Sequence, residues 1–128
     1  MHGTLTDAPR LAVVDDGSVL PAEVRLNAYR GDSRSWVFRL WQDAEKTIPY
    51  SLAQISETAA QVRRTPDNLI AVSFRTQVTQ PNYVFLHMDA SMAAICPSGR
   101  WDLQLTFPGG RVSTVVRGPF VMEPDVTR

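Results

Sequence analysis

From about Glu23 onward, apolar and polar residues change places along the chain with a period of two. In Trp36-Val37-Phe38-Arg39-Leu40, the residues Trp36, Phe38 and Leu40 share one face and Arg39 lies on the other, as in a half-buried strand. Val24, Leu26 and Ala28 alternate with Arg25, Asn27 and Tyr29 in the same way. Thr58-Ala59-Ala60-Gln61-Val62-Arg63-Arg64 predicts a further strand, closed by the turn-forming Thr65-Pro66-Asp67-Asn68. Next come Leu69 to Val78, with Ile70, Val72 and Phe74 in phase, and Tyr83 to Met88. Trp101 to Phe107 alternates cleanly, and Pro108-Gly109-Gly110 supplies the backbone freedom for a hairpin into Arg111 to Arg117. The last segment, Pro119 to Met122, predicts an edge or exit strand, because Pro119 has no amide to give to a ladder.

One stretch breaks the period. Asp89-Ala90-Ser91-Met92-Ala93-Ala94-Ile95 predicts a single short helical turn over about 89–95, with Asp89 placed to cap its free amides. Cys96-Pro97-Ser98-Gly99 ends it. Before Glu23 the texture differs: Gly3, Pro9, the apolar patch Leu11-Ala12-Val13-Val14, then the turn formers Asp15-Asp16-Gly17-Ser18. These features divide the chain into an extended N-terminal arm, 1–22, with room for one short strand, and a domain, 23–128. Seven or eight evenly spaced strands with one helical turn predict an all-β fold, an antiparallel Ig-like β-sandwich. A closed barrel is the competing architecture, which periodicity does not separate from it.

Composition narrows the function classes. The chain has 128 residues, enough for one sizeable core. Lys plus Arg equals Asp plus Glu at 13 each, so no overall field draws it to nucleic acid. A single cysteine, Cys96, forms no internal disulfide and no thiolate-rich metal site. The N-terminus lacks the pattern of a signal peptide and no segment is long enough to span a bilayer. The expectation is a protein made in a cytoplasm, with no membrane partner.

Catalytic chemistry finds little to use. His87, in the strand Tyr83 to Met88, would have to work with Asp89 or Cys96, but no known motif surrounds it, and a strand histidine is the plainer reading. No His or Cys pair has metal-ligand spacing, and Asp15-Asp16-Gly17 lacks the rest of a calcium loop. Gly109-Gly110 precedes a strand rather than a helix, so it is hairpin chemistry and not a phosphate cradle. No catalytic, cofactor or metal residue is expected. Arg63 and Arg64 with Arg34 and Arg39 offer at most a local basic patch. Trp41, out of phase with Trp36, is placed to stack on a sugar or to sit at a protein interface.

Three phrases, taken in order, carry a resemblance: "YRGDSRSWVFRLWQD", "AAQVRRTPDN" and "CPSGRWDLQLTFPGGRVSTVVRGPFVMEPDVTR". They resemble the polar corner and strand, the Ala-Gln-hydrophobic-Arg strand with its Pro-Asp turn, and the closing strands of the N-terminal domain of baseplate upper proteins and related minor structural proteins of tailed bacteriophages. The resemblance covers Val24 to Arg128. It implies a non-enzymatic virion protein, an attachment and assembly module of the tail or baseplate, partnered by other phage structural proteins and by copies of itself. Two departures stand out: the chain stops at Arg128, where such proteins continue, and Tyr50 to Glu57 lengthens the step between two strands. A head-decorating cement protein and a host-surface carbohydrate-binding module, with Trp41, Tyr29 and loop arginines as contacts, are the alternative readings. The apolar patch of the arm predicts Leu11 and Val13 as contacts with a neighbouring subunit. Arg30-Gly31-Asp32-Ser33 matches an integrin-binding tetrapeptide, but its turn-forming residues between two strands predict a corner. Arg30 and Asp32 are retained as possible subunit contacts.

Overall fold

The computed structural model describes residues 10–14, 22–43, 45–64, 67 and 69–124. Within them run ten strands and one helix: β1 (Arg10–Val14), β2 (Ala22–Glu23), β3 (Leu26–Tyr29), β4 (Arg34–Trp41), β5 (Glu57–Arg64), β6 (Ile70–Ser73), β7 (Arg75–Thr79), β8 (Tyr83–Met88), α1 (Ala90–Ile95), β9 (Gly99–Thr106) and β10 (Val112–Glu123). They form two sheets. Sheet A has the order β1-β4-β8-β7; sheet B has the order β2-β10-β9-β5-β6, with β3 also paired to β10.

The alternation read from the sequence marks the faces turned to the core, although in β4 Ser35, Val37 and Trp41 on the other face are buried as well. Trp36, Phe38 and Leu40 turn inward while Arg39 is exposed. Trp101, Leu103 and Leu105 are sealed from solvent, each 1 % exposed or less. The inner faces of the two sheets share one core. Phe38 of sheet A packs on Trp101 of sheet B, ring centroids 5.5 Å apart, and Trp36 meets Phe120 edge-on at 6.4 Å. Phe74 completes this cluster, lying edge-on to Trp36 at 5.6 Å, to Trp101 at 6.4 Å and to Phe120 at 6.1 Å. Such contacts add to the transfer energy of burying large rings.

The single strand expected over Leu69 to Val78 is two. At Phe74 the chain leaves sheet B and enters sheet A, so β6 pairs with β5 and β7 pairs with β8. A period of two runs through such a step unbroken, which is why the pattern hides it. The predicted helix is α1, with Asp89 as its N-cap accepting from the Met92 amide at 3.0 Å. The Pro108-Gly109-Gly110 hairpin joins β9 to β10, both glycines having positive φ.

The sheets are mixed, which corrects the purely antiparallel expectation. The β4–β8, β7–β8, β5–β6, β5–β9 and β9–β10 pairs are antiparallel, but β1 runs parallel to β4, and β2 and β3 run parallel to β10. Patterns within one strand carry nothing about the direction of its neighbour. Of the expected arm, residues 10–14 are a strand of sheet A and Ala22 opens β2; the rest lies outside the described residues.

Pro119 sits within β10, a central strand, rather than at an edge. Two neighbours explain its tolerance. β10 meets β2 at Val116 and Arg117 and β3 from Phe120 onward, leaving Gly118 and Pro119 opposite the break between β2 and β3. Arg117 accepts from the Val24 amide at 2.8 Å, so by alternation the missing amide of Pro119 points into that break. Gly118 is needed there: a Cβ would stand 2.1 Å from the Val24 carbonyl oxygen. That oxygen accepts a 2.8 Å hydrogen bond from the Trp101 indole, whose residue is the cross-strand partner of Gly118.

Tyr50 to Glu57 is folded in rather than looped out. Leu52 is 1 % exposed in the core, the Leu52 amide donates to Pro81 O, and the Tyr50 amide donates to Leu40 O.

Candidate functional site

The six residues expected to make contacts fall in two places. Tyr29, Arg30 and Asp32 form the β3–β4 corner. The Asp32 amide donates to Tyr29 O at 3.0 Å, Gly31 has φ of 85°, and the Arg30 amide donates to Glu123 O at 2.9 Å. Arg30 Nη1 donates to Ala94 O, at 3.0 Å, near the C-terminal end of α1. The Arg-Gly-Asp corner is thus a turn whose arginine braces the helix. Tyr29 remains 47 % exposed beside it.

Leu11, Val13 and Trp41 lie in sheet A. Val13 is 4 % exposed and belongs to this chain's own core, and Leu11, partly buried, packs against that core. Trp41 lies on the opposite, outward face with Val37 and Arg39, because strand alternation puts these three together. The register with β8 sets Arg39 across from Tyr83 and Val37 across from Phe85. The Arg39 guanidinium stands over the Trp41 ring, 4.5 Å from its centroid, and over the Tyr83 ring at 5.1 Å. Tyr83 stacks on Phe85 at 6.4 Å. Leu11, Ala12, Val37, Arg39, Trp41, Lys46 and Tyr83 enclose a hollow of about 250 Å³ on this face. Sequence patterning shows Arg39 and Trp41 as neighbours; Tyr83 enters only through strand register.

Lys46 reaches this hollow from a loop fixed by Asp43. The Asp43 carboxylate accepts from the Thr47 and Ile48 amides and from Thr47 Oγ1, and these bonds, the hydroxyl first, hold it below the usual carboxylate range. Lys46 itself has φ of 61°.

The hydrogen-bond contact of His87 is to neither expected partner, although its charge acts on the Asp89 carboxyl. Its Nδ1 lies 2.6 Å from Ser35 Oγ, a contact that register alone reveals, since Ser35 and His87 face each other across β4 and β8. Ser35 is 7 % exposed. Asp89 is occupied as a cap: Oδ1 accepts from Met92 N and Ser91 Oγ, and Oδ2 lies 3.3 Å from Arg75. Those bonds, the Met92 amide first, hold its carboxyl below the usual value. Cys96 is buried, and desolvation pushes its thiol up to about 11, far from a reactive thiolate. Among the described residues, no group of three or more His, Cys, Asp or Glu side chains is placed to hold a metal ion. No helix among them is long and apolar enough to cross a membrane. The four arginines expected to form one patch are divided, Arg63 and Arg64 on sheet B and Arg34 and Arg39 on sheet A.

Exposed apolar side chains also stand at Ile48, Ile95 and Val112, and at one sheet margin. Among the described residues β6 ends sheet B on one side, and its first residue Ile70 and the preceding Leu69 are 50 % and 56 % exposed. The class defined by these observations is a mostly β protein with two mixed sheets over one core. No protein-family model matches the chain, and no curated protein matches its sequence.

Proposed function

We infer that this chain is a non-enzymatic structural protein of a tailed-phage virion, an attachment and assembly module of the tail or baseplate, made in the bacterial host's cytoplasm. The finer architecture in this reading is an Ig-like sandwich. Its five antiparallel pairings form the kernel, and the parallel strands β1, β2 and β3 are additions at the margins. The observation that carries association is the edge of β6, open among the described residues, with its first residue Ile70 and the preceding Leu69 half exposed. An unpaired edge bordered by apolar side chains is a template for another chain. The virion setting rests on the three phrases, whose described residues fall chiefly on the β3–β4 corner and β4, on β5, and on β9 and β10. Sugar stacking by Trp41 is disfavoured, because that ring is 9 % exposed and lies beneath Arg39.

Sedimentation velocity over rising concentration tests the association. The wild-type chain forms oligomers, and the double substitution L69K/I70K keeps it monomeric with its melting temperature within a few degrees. A wild-type chain that stays monomeric at the highest soluble concentration defeats the edge mechanism. The virion setting is tested separately: a tagged copy expressed during phage growth co-sediments with purified particles, and its presence in the lysate but not in particles defeats that setting.

A further inference from the structure

The hollow on the outer face of sheet A has a chemical bias. Its floor and walls are Leu11, Ala12, Val37 and the rings of Trp41 and Tyr83, and its charged lining residues are Arg39 and Lys46, both cationic. No carboxylate lines it among the described residues. The contacts of Arg39 with the described residues are the two ring faces, so its N–H groups have no acceptor there. Rings on the guanidinium faces hold the plane of the group and leave its edge for a planar anion, which arginine meets with two parallel hydrogen bonds. The loop tied to Asp43 holds Lys46 at the same hollow.

We propose that this hollow receives a carboxylate side chain of an acidic, partly apolar peptide segment from a partner protein. Charge complementarity selects an anion. The apolar lining selects a stem that carries the carboxylate in, as glutamate or aspartate beside leucine does. A sugar ring needs a bare aromatic face, and Trp41 has none, being 9 % exposed under Arg39. The volume of about 250 Å³ suits one side chain and part of its neighbour, at or below the small end of ligand pockets. The inference deepens the assembly reading only in assigning the peptide to a neighbouring virion subunit; the binding is a property of the purified chain.

The test is titration of the full-length, isotope-labelled chain with a short peptide of alternating leucine and glutamate, followed by NMR at the Arg39 Nε–H and the Trp41 indole N–H. Both signals shift and saturate, while the glutamine version of the peptide leaves them in place. Arg39→Gln weakens binding roughly tenfold, as expected for a charge-assisted pair. Lys46→Asn weakens it less and reduces its salt dependence, asparagine being tolerant of the positive φ at this position. Arg39 is exposed, so its variant keeps the wild-type melting temperature. Equal binding of the glutamine peptide, unchanged affinity in Arg39→Gln, or no shift at millimolar peptide overturns the proposal. Sodium glucuronate or inorganic phosphate shifting the same signals at lower concentration than the peptide also overturns it, in favour of a glycan or phosphate ligand. Failure here leaves the particle co-sedimentation result untouched, and failure there leaves this one.

Discussion

Gly118 and Trp101 show how one missing side chain can hold a sheet together. The indole crosses over Gly118 to reach the Val24 carbonyl, and the segment between β2 and β3 closes onto β10 in the space left free. Gly118→Ala puts a methyl group against backbone, which has no flexible end to yield. It should cost at least about 3 kcal/mol, the upper range for overpacking, read by chemical denaturation. Trp101→Phe removes the donor and should cost roughly 1–3 kcal/mol more than its lost volume predicts. A second residue answers to pH. Asp102 is half-buried beside Arg63 at 3.8 Å, its Oδ1 makes no hydrogen bond among the described residues, and burial raises its carboxyl above the usual value despite the arginine. The folded chain therefore binds this proton more tightly than the unfolded chain does. Ionised Asp102 lowers stability above its folded-state pKa, and the loss is relieved as pH falls through it. Asp102→Asn should melt at the same temperature or a few degrees higher near neutral pH, and converge with wild type in acid. A lower melting temperature near neutral pH would show that the Arg63 contact outweighs desolvation. Cys96 should resist iodoacetamide in the native chain and react only on unfolding, as mass spectrometry of the alkylated protein would show.

At the scale of elements, Phe74 matters as the joint between sheets. Its ring touches aromatic residues of both, so Phe74→Ala should cost about 3–5 kcal/mol and loosen β6 and β7 together. Hydrogen exchange would show the two strands losing protection as a unit. Helix α1 is six residues long and depends on its cap, so Asp89→Ala should lower the melting temperature by a few degrees. The same cap makes α1 sensitive to strong acid: its contribution is present above the ordinary aspartate pKa and is lost as pH falls through the lowered folded value. Much at this scale was legible in the sequence. Alternation identified the inward faces of β4, β5 and β9, Asp89 marked the start of α1, and Gly109 and Gly110 marked the hairpin. The Phe74 step was not legible, because a strand that changes sheet keeps its period. Nor was the position of Pro119, whose missing amide is harmless only because β2 and β3 part opposite it.

Over the whole molecule, the sequence spoke to composition and core but not to neighbours. Which strands touch, and in which direction, depends on pairing over long separations, and every surface that now looks functional is a product of pairing. Ser35 meets His87, Arg39 meets Tyr83, and β6 is left at a margin, only because of the register and order of the sheets. Val13, expected to reach a neighbour, is a core residue of this chain, and Leu11 packs against that core while also lining the outer hollow. A deletion of the first twenty residues therefore removes β1 and a core side chain along with any docking function, and point substitutions on the surface are the cleaner probe.

The place of β10 has a consequence for synthesis. It is the last strand in chain order, yet it lies between β9 and the early strands β2 and β3, which gain their sheet partner only when it arrives. On the ribosome, β2 and β3 must wait until β10 has been made. A fragment ending before Val112 should lack dispersed amide signals and be digested by protease faster than the full chain.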